Sequence, residues 1–233
     1  MQDLSPEMAK AIRRFEPIET EGLTLYPICV KEINEFTTAR PAIEFMQQSL
    51  PVALLSKPLL QAYYQMELDA AANGQPGSGL FYKSILFLLL ALRAGEGLTA
   101  EKRMEFVELE PNEKDPMRLK SVLVFAGREV KRITPMQFQR LRPILAAQNG
   151  IDLVSENANP ELVQAERDLA EMNAPKLIYD VKALKATIAT VSGADESEME
   201  NWPILKLMCR RDAVQRLVGY ITCSFAELQG GEW

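Results

Sequence analysis

Ile85-Leu-Phe-Leu-Leu-Leu-Ala-Leu92 is the most apolar run in the chain, and its reading decides the fold. Eight residues fall far short of the ~20 that a membrane-spanning helix needs, and Lys83 and Arg93 bracket the run. It therefore reads as the middle of a buried core helix, Leu80 to Arg93, with Gly95 and Gly97 suited to its C-terminal cap. Upstream, Gly74-Gln-Pro-Gly-Ser-Gly79 is a loop. Before it, Leu59, Leu60, Tyr63, Tyr64, Met66 and Leu68 recur as on a helix that ends at Asp69-Ala-Ala-Ala-Asn73. Further back, Ile33, Phe36, Ala39 and Ile43 repeat at three- and four-residue steps. Pro41 is expected to break this stretch into two helices, and Pro51 and Pro58 mark a second break. Leu23-Thr-Leu-Tyr-Pro-Ile28 reads as a short strand with Pro27 at an edge or end. The first 20 residues are polar and mixed in charge, a loose arm or a short helix.

Downstream of the apolar run the texture changes at about residue 100. Arg103 to Glu110 alternates apolar and acidic residues, Pro111-Asn-Glu-Lys-Asp-Pro116 is a turn cluster, and Leu119 to Phe125 alternates again. Ala126-Gly-Arg-Glu129 is a tight turn, followed by a third short strand, Val130 to Ile133. Thr134-Pro135 opens a helix with Thr134 as N-cap and Pro135 in its first turn. Met136, Phe138, Leu141, Ile144 and Leu145 mark its apolar face, Pro143 is a candidate kink, and Gln148-Asn149-Gly150 closes it. A connector to Asn159 leads to a polar helix from Pro160 to about Met172, and a further helix runs from Pro175 through Leu177, Val181, Leu184 and Ile188 to Val191. Asp195 to Met199 suits a short helical turn. Trp202-Pro203 opens the last helix, with Ile204, Leu207, Met208, Val214, Leu217 and Val218 as its expected buried positions.

The fold class is therefore α+β, predominantly α-helical: helical N-terminal and C-terminal parts around a small antiparallel β-hairpin or meander. The parts are residues 1–100 (strand plus helices), 101–150 (hairpin and following helix) and 151–233 (C-terminal helices), with a single domain throughout left open. At 233 residues, 47% apolar and 25% charged, the chain has the composition of an ordinary globular protein. It contains no histidine, which removes the Ser-His-Asp triad, the Cys-His pair and histidine-ligated zinc. Cys29, Cys209 and Cys223 match no zinc or redox spacing and read as reduced thiols of a cytoplasm. Met1 to Arg14 carries acids and lacks the apolar core of a secretory signal.

Charge is unevenly laid out. Net charge is -6, which disfavours a broad nucleic-acid-binding face. Yet residues 118–142 hold seven cations against the single acid Glu129, whereas residues 150–174 hold six acids against Arg167. The two segments either pair within the chain or meet a partner, where charge steers encounter; solvated faces are the plain alternative. Candidate chemistry fails at each place it suggests itself. Tyr82 stands where a phosphate-binding loop needs the glycine before Lys83-Ser84, and the segment before Gly74 is helical rather than a strand. Glu105, Glu108 and Glu110 alternate with apolar residues as on a solvent face, and Phe125 and Phe138 sit at core-periodic positions. No catalytic, cofactor or metal residue is assigned, and no membrane contact is expected.

Two stretches point to a family. Gly22-Leu-Thr-Leu-Tyr-Pro-Ile-Cys-Val-Lys-Glu-Ile-Asn-Glu-Phe36 runs a strand ending in Tyr-Pro-Ile into a helix. Val124-Phe-Ala-Gly-Arg-Glu-Val130, Ile133-Thr-Pro-Met-Gln-Phe138, Leu141-Arg-Pro-Ile-Leu-Ala-Ala-Gln-Asn-Gly-Ile151 and Asn159-Pro-Glu-Leu162 follow in order. Together they resemble the tail assembly chaperones of phages and prophages of Gram-positive bacteria. The motif match covers about 45 residues, and the C-terminal helices match only in layout. The Gly74–Gly79 loop and the 85–92 run depart from that family's pattern.

The resemblance implies a non-enzymatic protein of the host cytoplasm that binds the tail tube or tape measure protein before tail polymerisation, with a homo-oligomer left open. A groove for an apolar helix would suit that task. Arg140, Arg142, Phe138 and Leu141 on the 135–149 helix, with Tyr63 and Tyr64, are the expected partner-binding residues. A structural tail or baseplate component, or a phage protein acting on a host target, are the alternatives.

Overall fold

The computed structural model describes residues 4–153, 165 and 181–228. The N-terminal stretch is a short helix, α1 (Pro6–Arg14). Ser5 accepts the Met8 N–H at 3.2 Å and Pro6 occupies the first turn. An unanticipated strand, β1 (Ile18–Thr20), pairs antiparallel with β2 (Leu23–Leu25). Helix α2 (Ile33–Glu44) runs unbroken through Pro41, correcting the expected division into two. Pro41 removes the one N–H bond that would run back to Thr37 O, and burial of Phe36, Ala39, Ala42 and Ile43 outweighs it.

Helices α3 (Leu59–Ala72) and α4 (Leu80–Ala91) follow as the periodicity indicates. Ten of the twelve residues of α4 are buried, so this helix is apolar around its whole circumference and fills the centre of the molecule. Its end differs from expectation. Arg93, not Gly95, is the first left-handed residue after it (φ 54°), and the Ala94 N–H returns to Leu89 O at 2.9 Å. The Arg93 guanidinium lies 4.3 Å from the Tyr26 ring centroid, a cation–π contact at this strained position.

The short helix α5 (Ala100–Arg103) replaces the start of the expected first hairpin strand, because Arg103 turns into the core. The sheet is then β3 (Val107–Asn112), β4 (Asp115–Ala126) and β5 (Glu129–Ile133), an antiparallel meander with Val107 opposite Val124 and Val122 opposite Ile133. Leu119, Val122, Val124 and Ile133 bury against the helices. Helix α6 (Pro135–Gln148) opens with a complete capping box: Gln137 N–H donates to Thr134 Oγ1 (3.2 Å) and Thr134 N–H to Gln137 Oε1 (2.9 Å). Pro143 is accommodated inside it.

The polar helix expected from Pro160 and the helix start expected at Pro175 lie outside the described residues. Helix α7 (Val181–Ser192), a 3-10 turn at Glu198–Asn201 and helix α8 (Ile204–Leu228) complete the chain. One core unites the 1–100 and 101–150 parts, running from Ile18 to Ile151 and taking in Ile204. A smaller cluster of Val30, Ile188, Met199 and Leu207 seats α7 and α8. The two are stitched by an antiparallel bridge at Cys29 and Pro203, with Val30 N–H to Trp202 O and Ile204 N–H to Ile28 O both at 2.9 Å. Gly150 ends α6 in the left-handed region (φ +68°), and a Cβ there would stand 3.0 Å from Leu205 Cδ1 of α8. Among the described residues no helix is long and apolar enough to cross a membrane.

Candidate partner-binding surface

The six residues expected to touch a partner do something else first. Phe138 and Leu141 point from α6 into the core and are fully buried, as is Tyr63 on α3. Partner contact through these three is corrected: no part of them reaches the surface. The Tyr63 hydroxyl donates to Ala42 O at 3.1 Å and its ring meets Phe45 edge-on at 5.6 Å, and burial pushes its phenol far above the usual range. Arg142 donates to Ile43 O (2.8 Å) and Phe45 O (2.6 Å). Tyr63 and Arg142 thus converge on the C-terminal carbonyls of α2, which have no partners within their own helix. Tyr64 is half-buried, its ring tilted against Phe81 at 5.3 Å between centroids, with its hydroxyl 3.4 Å from Pro116 O. Arg140 is exposed but forks onto Glu21 (2.5 and 3.0 Å), fastening α6 to the β1–β2 turn. That guanidinium holds the Glu21 carboxyl below the usual carboxylate range.

The two stretches that carry the family resemblance meet in space. The Ile28 N–H donates to Asn149 Oδ1 at 2.9 Å, and Asn149 Nδ2 donates to Leu145 O at 2.8 Å. Gln148 Nε2 donates to Leu25 O at 3.0 Å. The backbone of residues 25–28 and the Gln148 and Asn149 side chains therefore form one buried polar junction, which gives Gln148 and Asn149 an architectural role.

The cations of residues 118–142 pair mostly with nearby acids: Arg118 with Asp115, Lys131 with Glu129, Arg132 with Glu110 and Arg140 with Glu21. Most of the acidic 150–174 segment lies outside the described residues, so pairing between the two segments is not described.

Among the described residues, exposed apolar side chains gather at two further places. The first is the outer half of α8, where Leu217, Val218, Tyr220 and Ile221 are 44%, 53%, 73% and 43% exposed. This corrects the expected burial of Leu217 and Val218. The stripe continues Leu207 and Val214 at helical spacing, but beyond Val214 the helix runs past the cluster that packs it. The second is a cleft of about 340 Å³ where α3, β4 and α6 begin to diverge. Pro58, Leu119, Pro135 and Met136 wall it, and Lys57 and Arg118 stand at it. Met136, expected in the α6 core face, is 55% exposed. Met136 lies about 200° around the helix from Phe138, off the face that Phe138, Leu141 and Leu145 bury. Among the described residues no group of three acids or cysteines is disposed to hold a metal ion. The chain matches no known family model, no curated protein and no solved structure.

Proposed function

We propose that this chain is a non-enzymatic assembly factor of the tail assembly chaperone kind, acting in the host cytoplasm, which holds a tail tube or tape measure protein before polymerisation. The observation that carries the reading is the exposed apolar stretch of α8 formed by Leu217, Val218, Tyr220 and Ile221. A 25-residue helix is anchored at its first turns by Ile204 and Leu207 and extends an apolar stripe past its own support. Contiguous exposed apolar residues of this kind are the usual mark of a protein-binding site. A tape measure helix displays a matching stripe, and helix-against-helix docking would cover both. The ordered motifs of residues 22–36 and 124–162 support the same reading. The polar junction at Asn149 supports it less, since that junction serves the fold.

The test is co-expression with the tail tube and tape measure proteins encoded beside it, read by size-exclusion chromatography with light scattering. A soluble complex of defined mass with one of them supports the proposal and names the client. Separate elution of all three overturns it. Recovery of the chain from purified particles would instead make it a structural tail component.

A further inference from the structure

The cleft between α3, β4 and α6 has a chemistry of its own, separate from α8. Pro58, Leu119, Pro135 and Met136 supply its apolar wall, with the small hydroxyls of Ser56 and Thr134 beside them. The polar group at its base is already satisfied, because Gln61 Nε2 donates to Met117 O (3.0 Å) and Gln61 Oε1 accepts the Leu119 N–H (2.8 Å). The Gln61 amide is therefore already engaged on both its oxygen and its nitrogen. A volume of about 340 Å³ is near the low end of ligand sites, ~300–1,000 Å³, and takes a small number of apolar side chains rather than a large cofactor.

Charge at the cleft has one sign. Lys57 and Arg118 are among its lining residues, and no acid is. Lys57 Nζ donates to the neutral Gln65 Oε1. Arg118 is 73% exposed and holds Asp115 at 3.2 Å, a solvated pair that an incoming carboxylate can replace. Helices α3 and α6 both begin here, so the positive ends of two helix dipoles add to the same sign. The apolar surface also continues outside the cavity. Leu55 and Val52, in the turn that leads to Lys57, are 37% and 86% exposed. A small carboxylate would leave these two bare, whereas a polypeptide segment covers cavity and turn together.

We infer that this cleft is a docking site for an acidic, apolar segment of a partner protein, which inserts apolar side chains between Pro135, Met136 and Leu119 and sets its carboxylates against Lys57 and Arg118. The inference rests on the partner-binding reading above and adds to it a second surface with a stated preference for acidic sequence.

The experiment uses the full chain with 13C-methyl-labelled methionine. The probe is a short helix-forming peptide with a leucine stripe flanked by glutamates, compared with its lysine-flanked counterpart. Saturable shifts of the Met136 methyl with the glutamate peptide alone are the expected result. Lys57→Glu with Arg118→Glu should then weaken binding at least about tenfold and flatten its salt dependence. Met136→Glu, at an exposed first-turn position that tolerates an acid, should abolish it with the fold intact by circular dichroism. Equal binding of both peptides, or shifts confined to other methionines, overturns the inference. A tail-protein complex that forms unchanged with Met136→Glu also overturns it while leaving the chaperone reading in place. Peptide binding at Met136 without any tail-protein complex upholds the cleft and removes the chaperone reading.

Discussion

Arg103 reaches back 71 residues to Glu32 and donates through Nη2 to its Oε1, with both side chains buried. The same guanidinium donates to Ala94 O (3.0 Å) and Leu98 O (3.1 Å), so it ties the loop after α4 to the start of α2. A buried charge is tolerated here because all of these bonds are made at once.

Removing one member should therefore cost more than removing both. Glu32→Gln is expected to lower unfolding free energy by about 3–5 kcal/mol, because it strands the Arg103 charge. Glu32→Leu combined with Arg103→Met should cost less than either Glu32→Leu or Arg103→Met alone. Urea melts of the four proteins in a double-mutant cycle measure the difference.

Asn149 bridges the start and the middle of the chain through the Ile28 N–H. Asn149→Ala leaves that buried N–H without an acceptor and should cost about 1–3 kcal/mol by chemical denaturation. Arg142→Ala, which strips the donor from Ile43 O and Phe45 O, should behave similarly. A binding defect in an Arg142 variant would therefore report damage to the fold, whereas Arg140→Glu tests the surface.

The Glu21–Arg140 pair predicts a pH dependence. The folded-state pKa of Glu21 lies below its unfolded value, mainly through the Arg140 hydrogen bond. Its contribution is present above the unfolded carboxylate value of ~4.3 and disappears as pH falls through the lower folded value. Wild type should thus melt slightly above Glu21→Gln at pH 7, by a margin unchanged down to about pH 5. The margin should vanish in stronger acid. Thermal melts of both proteins across that range are the check, and the difference should shrink in high salt because the pair is partly exposed.

The three thiols should separate by reactivity. Cys29 is buried and burial pushes its pKa up, whereas Cys209 and Cys223 are exposed. Iodoacetamide followed by mass spectrometry should find Cys209 and Cys223 alkylated in the native protein and Cys29 only after unfolding.

On α8, Val218→Arg with Ile221→Arg should leave stability within about 0.5 kcal/mol, since both positions are exposed. The same variant should lose the client complex in co-expression if that face is the contact.

The amino-acid sequence by itself determined the elements and the central helix. Apolar residues on every face of 85–92 leave no solvent side, so that helix had to be the core. Thr134-Pro135 with Gln137 completes its own cap, and the alternation of 119–125 makes a strand, because these signals act over a few residues. Tertiary structure decided which apolar residue faces what. Phe138 and Leu141 share the face of α6 that the core covers, whereas Met136, about 200° around the helix from Phe138, is 55% exposed. Leu207 is buried in the cluster that seats α7 and α8, whereas Leu217 on the same helix is exposed. Glu32 and Arg103 carry no local mark of their pairing, and Lys57 and Arg118 are brought to one cleft only by the packing of α3 against β4. Local periodicity fixes the face on which a side chain lies, but burial depends on what else the chain places there, and that neighbour is set by contacts between residues far apart in sequence.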